Sequence, residues 1–168
     1  VTFYPGLEHR FVVVFSGEGL CEEVNDADPQ KEGLPMRWAV AQNEKARRTE
    51  EIINAFIKEV WDVLNDEHPA NGCLLRGFSS APHIPSLGEL YKIKPVALAT
   101  YPMYRGLASL VGMDVRDAGE TLEQLFHAVG TYWDDYNFFY VHVKYTDSRG
   151  EDGNFSEKVR VIEDVDRL

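Results

Sequence analysis

Val96-Ala-Leu-Ala-Thr-Tyr-Pro-Met-Tyr-Arg-Gly-Leu-Ala-Ser-Leu-Val111 is the stretch that decides the architecture. Val96–Tyr101 reads as a strand of apolar and aromatic residues. Pro102 then stands at the one helical position that favours proline, so Pro102–Val111 reads as a helix. The rhythm continues downstream. Met113–Arg116 reads as a short strand, and Glu120–Trp133 as a helix with Leu122, Leu125, Phe126 and Val129 on one face. Asn137–Tyr145 is a strand. Phe155–Leu168 is a helix that Ser156 can cap, with Val159, Ile162 and Val165 on one face. Strands and helices alternating at this length signal a parallel sheet covered by helices, so the expectation is an α/β fold.

Toward the N-terminus the rhythm breaks down. Phe11–Phe15 is a continuous apolar run that reads as a buried strand. Gly17-Glu18-Gly19 after it is either a phosphate-cradling turn or an ordinary one; the third glycine is missing and Glu18 would repel phosphate. Asn25–Pro35 is a loop in which Asp26 and Asp28 either bind a metal or solvate a turn. Glu44–Asp66 is the longest helix candidate, with Ile52, Phe56, Val60 and Leu64 at helical spacing and Ile53 and Val63 widening the stripe. Asn43 can cap it, which puts Lys45, Arg47 and Arg48 in the first turns, against the helix dipole unless an anion is near. Thr49 is the alternative cap, followed by Glu50 and Glu51 in favourable places. Cys73–Arg76 reads as a short buried strand, and Ser79–Lys94 as a linker with room for one helical turn. A domain boundary is expected near residues 88–94, giving domains 1–90 and 91–168.

At 168 residues the chain has the length of one ordinary domain, or of a small domain plus part of another. Its net charge of −11 disfavours a nucleic-acid partner, because phosphate backbones need basic surfaces. A local cluster of Arg and Lys can still hold a small anion. No apolar run approaches the ~20 residues that cross a bilayer, and no leader pattern opens the chain. Cys21 and Cys73 lack metal-type spacing and read as reduced thiols. The expectation is a cytoplasmic protein with no membrane partner. Both ends read as cut, since Val1 replaces an initiator Met and no helix stop follows Leu168.

In an open α/β sheet, ligands bind where strands end at their carboxyl edge. Tyr140-Val-His-Val-Lys-Tyr-Thr-Asp-Ser-Arg-Gly-Glu-Asp152 carries a strand into a loop holding Asp147, Glu151 and Asp152. His142 and Lys144 share a face with Phe138 and Tyr140 and approach Asp147 from one side. A cation beside a carboxylate there holds a phosphorylated ligand over a metal, or simply forms an ion pair at a sheet edge. Asp147 and Glu151 are four apart with Gly150 between, so a loop can fold both onto one cation. The pattern is not an EF-hand, because Arg149 and Asp152 occupy positions that motif reserves for others. Arg10, beside His9 and just before the first strand, Arg76 before a glycine at a strand end, and Arg105 one turn into a helix are candidate contacts for carboxylate or phosphate.

Gly6-Leu-Glu-His-Arg-Phe-Val-Val-Val-Phe-Ser-Gly-Glu-Gly-Leu20, Asp26-Ala-Asp-Pro29, Leu74-Leu-Arg-Gly-Phe78, Tyr101-Pro-Met-Tyr-Arg-Gly-Leu-Ala-Ser-Leu-Val-Gly-Met-Asp114 and Val141-His-Val-Lys-Tyr-Thr-Asp147 together resemble the archaeal-type cofactor-independent phosphoglycerate mutases of the alkaline phosphatase superfamily. The resemblance covers nearly the whole chain. It implies a glycolytic enzyme that interconverts 3-phosphoglycerate and 2-phosphoglycerate through a phosphoserine, using divalent metals and no organic cofactor. Residues 1–90 fall on an inserted, substrate-clamping domain and 91–168 on part of the metal-bearing core. Asp147 falls on a metal-ligand aspartate. Glu151 stands where many relatives have a histidine, which makes the site harder, suited to manganese or magnesium more than zinc, or means that one metal is lost. Arg10, Arg76, Arg105 and Lys144 are the implied substrate contacts. The serine nucleophile and further metal ligands lie outside the matching stretch, so the expectation is an internal fragment, inactive alone. Strands cut from their neighbours would be covered by self-association or by packing of the insertion. A non-catalytic module that binds a phosphorylated acid, or another phosphotransferase of the superfamily, are the alternatives.

Overall fold

The computed structural model describes residues 1–7 and 9–168. The chain is mixed α/β and divides into two compact units, one of residues 1–5 and 11–82, the other of residues 6–10 and 83–168.

In the first unit β1 (Thr2–Pro5) pairs antiparallel with β2 (Phe11–Val14). β2 is not the fully buried strand expected: Phe11 and Val13 turn inward, while Val12 and Val14 are exposed, the period-2 pattern of a strand with one face open. Its partner β1 was not legible as a strand. β3 (Val24–Asn25) pairs with β4 (Val40–Ala41) across the Asp-rich loop.

One turn of 3-10 helix (Glu44–Ala46) leads into α1 (Arg47–Leu64). Asn43 is the cap, its side chain accepting from the N–H groups of Lys45 and Ala46, so of the two possible starts the earlier is used. Thr49 is buried inside the helix instead, where its hydroxyl accepts the N–H of Cys21 at 3.0 Å. One face of α1 buries Ile53 and Ile57 completely against Val24, Ala27, Ala39 and Leu75. Each such side chain contributes about 1.5–3 kcal/mol relative to exposure. The next face holds the backbone around β4. Glu50 accepts the Ala41 N–H at 2.6 Å, and the Asn54 amide both accepts from Ala39 N–H at 2.9 Å and donates to Ala39 C=O at 3.0 Å. Cys73–Arg76 does not form the expected strand. Among the described residues its backbone is engaged only at the Leu75 carbonyl, by the N–H groups of Ala27 and Asp28, so the segment is anchored by the burial of Leu75 and not by a ladder.

The second unit is built on a parallel sheet of order β6-β5-β7, with β5 (Pro95–Ala99) central and wholly buried. β6 is Asp114–Arg116 and β7 is Phe138–His142. α2 (Leu87–Tyr91, capped by Ser86) precedes β5, and α3 (Pro102–Leu110) and α4 (Leu122–Tyr132) run between successive strands. Thr121 and Gln124 close a capping box on α4. Val96 and Leu98 face one way, into a core of Leu125, Ala128, Phe139 and Val141. Ala97 and Ala99 alternate to the other face and leave room there for larger rings. α3 stops at Gly112, whose φ of +75° favours glycine; its N–H reaches Ser109 C=O at 3.0 Å and Met113 N–H reaches Ala108 C=O at 2.9 Å.

After β7 the expected loop is a helix, α5 (Tyr145–Glu151), which packs on α6 (Phe155–Asp166). α6 is capped by Asn154, not by Ser156: the Asn154 side chain accepts the Glu157 N–H at 3.2 Å. Among the described residues no helix is long and apolar enough to cross a membrane.

Candidate functional site

Because β5 and β7 are parallel, both end at the same edge of the sheet. β5 runs out through Thr100 to Tyr101, the residue before α3, and β7 runs out through Val143 to Lys144, the residue before α5. Tyr101 is 7% exposed, and its ring is the centre of a cluster. The Lys144 ammonium lies over that ring at 5.7 Å and the Arg10 guanidinium at 5.8 Å, and Arg10 also donates to the Tyr101 hydroxyl.

α5 changes how the carboxylates are presented. Asp147 and Glu151, four apart, lie on one helical face, and both turn back to Lys144. Lys144 donates to the Asp147 carboxylate and reaches Glu151 Oε2 at 3.5 Å. The hydrogen bond from Lys144 holds the Asp147 carboxyl below its usual range, and the same bond pushes the Lys144 ammonium up. Beside them Tyr104 of α3 stacks on His142, centroids 3.6 Å apart and planes 27° off parallel, with Tyr140 on the same face. Burial, then the charge of Lys144, pushes the His142 imidazole below its ordinary value. Its Nδ1 is buried with no hydrogen-bond partner among the described residues.

Arg105 is on this edge but engaged in the frame. One terminal nitrogen donates to the carbonyls of Ala99 and Arg116, each at 3.1 Å, tying together the ends of β5 and β6. Arg76 belongs to the first unit, where it pairs with Asp28 at 3.5 Å. In that unit Asp28 accepts the Gln30 N–H at 2.7 Å, which favours the turn-solvating reading for it, whereas Asp26 accepts the Gly77 N–H at 2.8 Å and ties its loop to a segment distant in sequence. Gly17-Glu18-Gly19 leads into no helix, in keeping with an ordinary turn. Of the candidate residues read from the sequence, Arg10, Arg105, Lys144, Asp147 and Glu151 all lie in the second unit. Reading the sequence missed Tyr101 and Tyr104. The available signal was their spacing of three across the start of a helix, which puts both rings on one side.

The donor set fits a cation in part. Asp147 and Glu151 offer hard oxygens suited to magnesium or manganese, and the Lys144 ammonium already stands between them as a positive charge. Among the described residues no group of three or more His, Cys, Asp or Glu is arranged to hold a metal. A full coordination sphere needs further ligands. Chemically, the cluster offers cations for an anionic ligand and carboxylates for a divalent cation at one edge.

The profile of the 2,3-bisphosphoglycerate-independent phosphoglycerate mutase family matches residues 1–71. The chain is 54% identical over 168 residues to a protein of Thermosipho africanus named as a probable mutase of that kind, covering 100% of this chain and 42% of that protein. It is 55% identical, with the same coverage, to the protein so named from Thermotoga maritima. Among solved structures it resembles the cofactor-independent phosphoglycerate mutase from Thermoplasma acidophilum, with a TM-score of 0.61 and 30% identity over 98% of this chain and 46% of that one. The chain thus spans 42% of the length of these curated relatives.

Proposed function

Since this chain matches 2,3-bisphosphoglycerate-independent phosphoglycerate mutases along its whole length, we propose that it is part of an enzyme interconverting 3-phosphoglycerate and 2-phosphoglycerate. The observation that carries the reading is this identity of more than half the residues, over 168 residues, to proteins named as probable mutases of that kind. On this reading residues 1–90 are the inserted substrate-clamping domain and residues 91–168 part of the metal-bearing core. The division of the chain into two compact units supports two parts, although residues 6–10 fall with residues 83–168 and the main break lies at Pro82–His83. An enzyme of glycolysis works in the cytoplasm, and the reading places this one there.

Lys144 and Arg10, held on the two-cation surface of Tyr101, bind the phosphoryl and carboxylate oxygens of phosphoglycerate. Arg105 keeps its guanidinium at the same edge while tying β5 to β6. Arg76, in the first unit, stays a proposed phosphoglycerate contact on the strength of the family likeness alone. Asp147 and Glu151 are this chain's share of the metal ligands. A divalent metal, when bound, supplies positive charge against the phosphoryl oxygens. His142, kept neutral by burial, adds no charge that would compete with it. The phosphoryl group passes from one glycerate oxygen to a serine hydroxyl and then to the other glycerate oxygen. That serine lies outside the stretch matched here.

The purified chain is therefore expected to bind 3-phosphoglycerate only when manganese is present and to show no turnover in a coupled mutase assay. Calorimetry with and without manganese, run beside the assay, checks both. Robust turnover by the chain alone overturns the partial-site reading, and metal-independent binding favours a non-catalytic module for phosphorylated acids.

A further inference from the structure

We propose that the outward face of α3 is the contact through which two copies of this chain pair, helix on helix, with Gly106 at the crossing point. α3 is built the wrong way round for a surface helix. Its sheet side holds Ala108, 3% exposed, with Tyr104 stacked on His142 and Arg105 bonded to two strand-end carbonyls. At 3.6 residues per turn, Met103, Leu107 and Leu110 fall on the opposite side, where they are 56%, 53% and 44% exposed. A helix with one side in water keeps its large apolar residues on the covered side and its charges on the other. Here a small apolar residue is covered and three large ones are open.

Gly106 stands beside them on that open face. Glycine inside a helix is less favourable than alanine, so it answers a need for backbone freedom or for space. Neither need arises within the unit. Gly106 has no positive φ, and a Cβ built there would meet nothing within 4 Å among the described residues. What the missing side chain permits is the close approach of another helix, whose axis otherwise stands about 8–10 Å away.

Charge selects the occupant. The chain is 27% charged and carries a net −11, so two copies repel over most of their surface. The α3 face, with Pro102, Met103, Gly106, Leu107, Ser109 and Leu110, has no charge at all, and Arg105, the one charged residue of the helix, is turned to the sheet. In a two-fold contact each charge meets the neighbourhood of its own copy, so a face that pairs with itself is best left uncharged, whereas a face for a different partner gains from complementary charge. The same face also offers a gap at Gly106 and side chains to fill it at Leu107 and Leu110, the self-complementarity that a two-fold requires. Three half-exposed side chains make a contact at the small end of specific interfaces, below ~1,200 Å², so pairing is weak and follows concentration. It braces the helix that brings Tyr104 and Arg105 to the candidate site.

Sedimentation velocity on the 168-residue chain tests this. The expected result is a monomer at roughly 1 µM and a growing share of dimer toward roughly 100 µM. Leu107→Glu brings two carboxylates together across the two-fold and should weaken pairing roughly 10- to 100-fold. Leu110→Glu gives the same test should that variant fold poorly. Gly106→Ala separates an interface role from a helical one by sign. Diluted to monomer, the alanine variant should show a higher urea midpoint, because the helix gains and no atom stands in the way. At high concentration its methyl group holds the helices apart, and the dimer loosens. A chain that stays monomeric throughout overturns the proposal and leaves the face to a helix of another polypeptide segment. A dimer that neither Gly106→Ala nor the glutamate variant loosens also overturns it and puts the contact elsewhere.

Discussion

Gly112→Ala is expected to be among the most damaging single-methyl additions the second unit can suffer. Two costs arise at once. The backbone there has φ +75°, and holding an L-residue in the left-handed region costs about 1–2 kcal/mol. The added Cβ would also stand 2.5 Å from Cβ of Ser86 and 3.3 Å from its Cα. Real Cβ atoms do not approach so closely, so α2 must shift. Ser86 is not free to yield, because its hydroxyl accepts the Glu89 N–H at 3.1 Å and the next N–H, of Leu87, donates to Val111 C=O at 2.9 Å. Overpacking of this kind costs about 1–3 kcal/mol. The sum is about 2–5 kcal/mol, read as a drop in the urea midpoint. Ser86→Gly removes the clashing atom, and glycine at an N-cap costs only a few tenths of a kcal/mol. The double variant should therefore recover about 1–3 kcal/mol as coupling, leaving the backbone cost behind. A Gly112→Ala chain within about 0.5 kcal/mol of the original, or a double variant with no recovery, refutes the reasoning.

Asn54→Ala should cost about 2–5 kcal/mol, because it strands both the N–H and the C=O of Ala39, a residue only 1% exposed. Urea midpoints check this, and Asn54→Asp, which keeps the acceptor alone, should fall between. In the second unit the Tyr136 hydroxyl donates to Asp114 at 2.6 Å, with Arg116 donating to the same hydroxyl at 3.0 Å, and the Tyr136 bond holds the Asp114 carboxyl below its ordinary 3.8. A lowered folded value means stability that is present above the unfolded pKa and lost as pH falls through the folded one. The gap in urea midpoint between the chain and Tyr136→Phe should thus hold steady from about pH 6 to about pH 4 and close in stronger acid. A gap that widens in acid contradicts the assignment.

The second half of the chain was legible because its signals are redundant. Pro102 marks a helix start, Val96 and Leu98 mark a strand, and the two agree with the alternation that follows. The first half relies on pairings too short to leave a pattern. β1 holds four residues, all exposed, and β3 and β4 two each, so little apolar periodicity exists to read. Cys73–Arg76 looked like a strand because Leu74 and Leu75 are adjacent, yet Leu74 is 49% exposed and only Leu75 is inside. The sequence of α5 reads as a loop because Thr146, Asp147, Ser148 and Gly150 all favour turns; its packing on α6 overrides that preference. At the site, the charged residues were legible from sequence and the surface that gathers them was not. A tyrosine at a strand end reads as ordinary packing until the fold brings two cations onto its ring.

Arg105 illustrates how a residue can mislead by serving twice. Its guanidinium staples the ends of two neighbouring strands, so an alanine there would loosen the edge on which Tyr101 stands. A mutational survey scored by turnover alone would record a large defect and credit it to lost substrate contact. A lysine ammonium, with three donors, can stand in for the one nitrogen that bonds both carbonyls but lacks the planar fork for a bidentate anion, so Arg105→Lys tells the carpentry from the chemistry.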